Sequence, residues 1–216
     1  DEYIATEAAR GINDDLSIPA ALPALADMLK ESRPHSEAML RRAINAALRI
    51  GGEKQLDMLL VFSKRKDLTP AIKAEALAAL GTWANPSVLD RVDGRFRGAQ
   101  KRDAEVVRAL VRPHIAGFLQ EADSETLIAV AGMLTHLKMM DFNEQLAKIY
   151  HETTDNKVKM AVLPALDQLK YRNIAAIIKN GMEDTDPDVR TVALGLLNDS
   201  NVNQDNIQAI VNTIFS

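Results

Sequence analysis

The chain has 216 residues, 47% of them hydrophobic but only 4% aromatic, and 26 Lys and Arg against 30 Asp and Glu leave a formal charge of −4. That charge is spread along the whole length, which argues against a general nucleic-acid binder, since such proteins concentrate basic residues on one face. Zero cysteines exclude disulfides, thiolate catalysis, thiolate zinc sites and covalent haem attachment through CxxCH, and no apolar run approaches the roughly 20 residues that cross a bilayer.

With so few aromatics the core has to be built from Ala, Leu, Ile and Val, a composition suited to closely packed helices. No β-branched alternating run bounded by Asn-Gly or Asp-Gly turns marks a strand. Helical periodicity predicts pairs of helices, with first members near 3–13, 36–50, 70–83, 124–138, 156–169 and 187–198. Their partners fall near 19–30, 52–64, 104–120, 141–153, 172–182 and 203–215. Thr69-Pro70 and Asp186-Pro187 place a side-chain acceptor at the N-cap and a proline at the first helical position. Ser124 and Asp155 can cap in the same way, and Gly51-Gly52 reads as a helix stop.

The pairs repeat. Leu127, Val158 and Val189 lie 31 apart, and the same register continues through Val130, Ala161 and Val192, then Ala131, Val162 and Ala193, then Leu134, Ala165 and Leu196. Earlier, Leu40 to Leu48 aligns with Ile72 to Leu80 at a spacing of 32. Units this short cannot bury their apolar faces alone, so neighbours have to stack. The expected fold is an all-α superhelix, a HEAT-like solenoid of about six helix pairs forming a single domain over residues 1–216.

An apolar-then-basic pair recurs in the first turn of four first helices, at Leu40-Arg41, Ile72-Lys73, Val158-Lys159 and Val189-Arg190. With Asp184 and Asp186, the stretch DTDPDVRTVAL resembles the HEAT repeat, whose Asp and Arg often bond between successive turns. Leu127-Ile128 breaks the pattern, and any one of these charges reads equally as solvated at a helix edge, but the recurrence points to a structural ladder. Gly132, Pro164 and Gly195 fall at equivalent places inside their helices, and the proline there removes a backbone hydrogen bond and favours a kink.

Residues 84–103 are an insertion in the third pair, ANPSVLDRVDGRFRGAQKRD, expected as a surface loop that opens with a short helix after Asn85-Pro86. Two readings stand beside each other. Loop lengthening costs only about 0.6 kcal/mol per doubling, so the insertion needs no function. Alternatively, Trp83 at its mouth with Arg91, Arg95, Arg97, Lys101 and Arg102 forms an interaction loop. Trp83 reads equally well as core.

No active site is expected. His35, His114, His136 and His151 include no i, i+4 pair, and each reads as an exposed or capping residue. GxSxG, HExxH, GxxxxGKS and GxGxxG are absent, and the carboxylate pairs Asp14-Asp15 and Glu183-Asp184 lie in polar turns. No catalytic, cofactor-binding or metal-ligating residue is assigned. The terminal helices carry apolar faces, with Tyr3, Ile4, Ala8 and Ile12 in the first and Ile207, Ile210, Val211 and Ile214 in the last. Either both faces pack inward only or neighbouring domains cover them, and a start at Asp1-Glu2-Tyr3 without initiator Met or signal pattern predicts a piece of a larger protein.

The opening YIATEAARGINDD, then RRAINAALRIGG and AIKAEALAALGTWANPSVLDRVDGRFRG, resemble the helical-repeat region of bacterial membrane-bound dehydrogenase-like haem-binding proteins over roughly residues 3–120. In that family a sorbosone or glucose dehydrogenase-like propeller precedes the repeats and a c-type cytochrome domain follows. The resemblance implies a non-catalytic scaffold spacing or docking those domains in a periplasmic or otherwise extracytoplasmic redox protein. Its partners would be neighbouring domains or another protein chain, with no nucleic acid and no membrane insertion by this segment. No cofactor is carried over to this chain, because no matching ligand residue occurs. Two other functions compete: an independent HEAT-type protein-protein adaptor, and a HEAT-like DNA-repair glycosylase, which the acidity and single Trp disfavour.

Overall fold

Asp1, Ser36, Thr69, Asp103 and Asp155 each turn a side-chain oxygen onto a backbone N–H two or three residues ahead, and each opens a helix. These caps satisfy donors that the first turn leaves without intrahelical partners. The computed structural model describes residues 1–199 apart from 16, 17, 34 and 122, and the side chains of 198 and 199 are not described. The partner helix expected at 203–215, with its apolar face, lies outside the described residues.

The helices are α1 Glu2–Asp14, α2 Leu22–Asp27, α3 Glu37–Ile50, α4 Glu53–Ser63, α5 Pro70–Gly81, α6 Ala104–Val111, α7 Ile115–Leu119, α8 Ser124–Leu137, α9 Asn143–Glu152, α10 Asn156–Gln168, α11 Ile174–Met182 and α12 Pro187–Asp199. No strand occurs among the described residues, and the protein is all-α. The helix expected over 104–120 is broken: a 3-10 turn at Arg112–His114 carries Pro113, whose ring nitrogen has no hydrogen to donate. Short 3-10 turns likewise flank α2 and precede α9. Helix α8 starts where expected, but its cap is Asp123, which accepts from the Thr126 N–H at 2.7 Å, and not Ser124.

The chain divides within α8 into two compact units, residues 1–133 and 134–216. In the first, α1 packs on α2 and α3, α3 also packs on α4 and α5, and α4 touches α5 and α6. In the second, α10 packs on α9, α11 and α12, and α11 packs on α12. Consecutive helices therefore pack together in both units.

The repeated register is a register of burial. Ala131, Val162 and Ala193 are each fully buried. So are Ile44 and Ala76, and Ala47 and Ala79, while Leu40 with Ile72 and Leu48 with Leu80 are buried pairs at the same spacing. Fully burying a Val, Leu or Ile side chain contributes roughly 1.5–3 kcal/mol, so these positions carry the packing.

The basic first-turn residues reach forward. Arg41 of α3 donates to Glu75 of α5 at 3.4 Å, Lys73 of α5 pairs with Glu121 before α8, and Lys159 of α10 donates to Asp184 before α12 at 2.7 Å. Arg190 instead bonds the carbonyls of Asp184 and Thr185. A second polar row joins the cap positions: Thr6 to Ser36, Thr69 to Glu37, and Asn156 to Asp186. These contacts fix which turn faces which helix, and the Lys73 and Asp184 side chains in them are largely buried.

Candidate functional site

The insertion between α5 and α6 carries the most unusual local chemistry. It does not open with a helix after Asn85-Pro86. Residues 88–97 form a small hairpin instead: the Asp90 N–H donates to the Arg95 carbonyl and the Arg97 N–H to the Val88 carbonyl, both at 2.8 Å, and Leu89 bridges Phe96. Asp93-Gly94 is the turn. Gly94 has φ of 72°, a conformation that costs glycine little, and the Asp90 carboxylate accepts the N–H groups of Val92 and Asp93 at 2.9 and 3.2 Å. The Asp-Gly pair beside Val88, Leu89 and Phe96 was the sequence signal for this turn, but the flanking runs are too short to read as strands.

Nor is the insertion a loop lying wholly on the surface. The Asp90 side chain is fully buried and that of Arg97 is only 7% exposed. Asp90 accepts from Arg97 Nε at 3.0 Å and from the Asn45 amide of α3 at 2.8 Å, and the same amide donates to the Asn13 side chain of α1 at 2.8 Å. Burial pushes the Asp90 carboxyl up, but its hydrogen bonds from Val92, Asn45, Arg97 and Asp93 outweigh that and hold it below the ordinary Asp value.

Four of the five basic residues assigned to an interaction loop bond inward. Arg91 donates to Glu75 at 2.8 Å, Arg95 to the Asp14 carbonyl, and Arg97 to the Asn13 carbonyl at 3.1 Å as well as to Asp90 and Asp93. Arg102 lies 4.6 Å over the Trp83 ring and donates to the carbonyls of Trp83 and Leu48, each at 2.7 Å. Trp83 itself is core, 3% exposed. Lys101 is exposed. Gln100 adds a bond to the Arg49 carbonyl at 3.3 Å.

The contacts to backbone carbonyls have a common target. The carbonyls of Asn13 and Asp14 end α1, those of Leu48 and Arg49 end α3, and that of Trp83 follows α5. Helix C-termini leave carbonyls without intrahelical partners and carry partial negative charge, so guanidinium groups are well suited to them. The insertion clasps three helix ends. Gly51 allows the approach at α3: its φ is 73°, and a Cβ there would stand 2.4 Å from the Arg102 guanidinium.

What the clasp leaves outward is apolar. Phe96 is 70% exposed, Leu89 51% and Val88 42%. Beneath this lip lies a cleft of about 450 Å³, walled by Leu22, Leu48, Ile50, Pro86, Leu89 and Phe96, with Arg49, Asp90, Arg91 and Arg97 as its charged lining.

His35 is neither exposed nor a cap. Its side chain is 1% exposed, with Nδ1 3.3 Å from Glu2 and Nε2 3.1 Å from Glu31. His136 and His151 are exposed and His114 is half-buried. Among the described residues no three His, Asp or Glu side chains are grouped so as to hold a metal ion, and no helix is long and apolar enough to cross a membrane. Compared with protein-family models, curated proteins and solved structures, the chain matches none.

Proposed function

We propose that the chain is a non-catalytic scaffold in which HEAT-like helix pairs stack as a solenoid and space or dock other protein domains. The observation that carries this reading is the packing order in the unit of residues 1–133, where first helix lies on first helix (α1 on α3, α3 on α5), with α2 beside α1 and α4 beside α3. That is how repeat units that cannot bury their faces alone are expected to associate. In the unit beginning at 134, α10 on α12 follows the same order.

By the resemblance of residues 3–120, the docked domains are a dehydrogenase-like propeller and a c-type cytochrome, and the setting is extracytoplasmic. The natural gene product, purified from its source, tests this by its mass and visible spectrum. A much larger chain with the Soret band of covalent haem supports it. A colourless product near 23.7 kDa overturns it. That second outcome leaves an independent adaptor, a reading favoured by the exposed Phe96, Leu89 and Val88 lip, which fits a protein contact better than a linker surface.

A further inference from the structure

We propose that the cleft beneath the hairpin seats an acidic side chain of a partner protein, with apolar neighbours of that residue lying on the Leu89 and Phe96 lip. This deepens the docking reading and rests on it only in supposing a protein partner.

Three guanidinium groups line the cleft against one carboxylate, and the carboxylate is already spent. Asp90 accepts four hydrogen bonds, from Val92, Asp93, Asn45 and Arg97, which fills the acceptor capacity of its two oxygens. Arg91 is engaged by Glu75, and Arg97 by Asp90 and Asp93. The remaining unpartnered nitrogen of Arg97, Nη1, is shut away from solvent, so no ligand reaches it.

Arg49 is different. Its side chain is 16% exposed, its Nη1 donates to the Asn13 carbonyl at 3.1 Å, and its ion-pair partner Asp90 stands 3.8 Å away, beyond hydrogen-bond distance. Among the described residues no other hydrogen bond reaches its guanidinium, although the group holds five N–H donors. Burial and then the neighbouring Arg97 charge disfavour its cationic form by more than the Asp90 and Asp93 charges favour it. An arriving carboxylate would supply the missing charge and acceptor together, in the planar geometry a guanidinium fork matches.

The lip decides between a small acid and a peptide. Val88 does not line the cleft, yet it stands exposed beside Leu89 and Phe96. A small carboxylate filling the cleft would leave that apolar surface wet, whereas a peptide covers cleft and lip at once.

The test uses fluorescein-labelled octapeptides carrying one Glu or Asp flanked by Leu or Phe, and a matched set with Gln or Asn in its place, read by fluorescence polarisation on the whole chain. Acidic members should bind at least tenfold more tightly than their amides. Arg49→Gln should remove at least tenfold of that affinity, and Phe96→Ser, at a 70% exposed position that does not threaten folding, at least fivefold. Equal binding of acid and amide peptides, no binding of either, or unchanged binding by both variants overturns the proposal. Displacement of the peptide by millimolar phenylacetate as effectively as by unlabelled peptide overturns its peptide half and makes the cleft a small-acid site. A colourless 23.7 kDa gene product would defeat the redox-protein reading without touching these results.

Discussion

Asn45 donates its side-chain amide to Asp90 across 45 residues of sequence, at 2.8 Å and with both side chains buried. The bond holds the hairpin to α3, and Asp90 is also the counter-ion of the buried Arg97. Removing one partner of a buried ion pair costs about 3–5 kcal/mol, because the other charge stays behind in low dielectric. Asp90→Ala should therefore lower unfolding stability by about that amount in urea titrations. The double variant Asp90→Ala/Arg97→Met should recover part of it. A double variant no more stable than the single one would show that the pair is not what holds the hairpin.

Acid should open this clasp late. The folded Asp90 carboxyl binds its proton more weakly than the unfolded one, whose value is about 3.9. Its stabilising contribution is then fully present above about pH 4–5 and is lost as pH falls through the lower, folded value. Trp83, the single tryptophan, lies under Arg102 and reports the state of the insertion. Its fluorescence should hold steady from pH 7 to 5 and change only below about 4. A transition centred above 5 would contradict the assignment.

Two helix glycines should respond in opposite directions to alanine. At Gly81 a Cβ would stand 2.8 Å from the Met133 Cα, a backbone atom that cannot swing aside. Gly81→Ala should destabilise by about 1–3 kcal/mol, the usual range for overpacking. Gly132, inside α8, has nothing within 4 Å of an added Cβ. Gly132→Ala should stabilise by roughly 0.5–1 kcal/mol through helix propensity. Thermal melts of the two variants compare them directly.

Lys138 and Lys170 have φ of 54° and 58°, and each follows the end of a first helix. At both, the next residue's N–H returns to a carbonyl five positions back: Met139 to Leu134 at 3.0 Å and Tyr171 to Leu166 at 2.9 Å. This is the left-handed helix stop usually made by glycine. Lys138→Gly and Lys170→Gly should each raise stability by about 1 kcal/mol by relieving the strain of a side chain there. A lowered melting temperature would mean that the lysine side chains contribute more than the backbone strain costs.

Much of what depended on local spacing was legible in the sequence. The caps at Thr69, Asp155 and Asp186 and the stop at Gly51 are set by neighbours within a few residues, and the 31-residue repeat marked the shared burial of Ala131, Val162 and Ala193. The Leu-Lys pairs at 137–138 and 169–170 repeat the same stop, but lysine gives no warning of a left-handed backbone. His35 reads as an ordinary polar residue until Glu2, 33 positions earlier, is brought beside it. The candidate site was hidden for the same reason. Arg95 and Arg97 look like free surface charge in a glycine-rich stretch, and only the folded chain delivers the helix-end carbonyls that they bind.

In an array held together only by nearest neighbours, the end unit frays first and the rest follows in steps. The bond from Arg97 to the Asn13 carbonyl spans 84 residues and passes over α3 entirely. With Arg102 on the ends of α3 and α5 and Gln100 on the end of α3, it gives α1, α3 and α5 a shared latch. Fraying of α1 therefore has to break contacts to the insertion as well as to its neighbouring helices. Forming that latch closes a loop of 84 residues, a non-local contact whose entropy cost has to be met before the bond is gained.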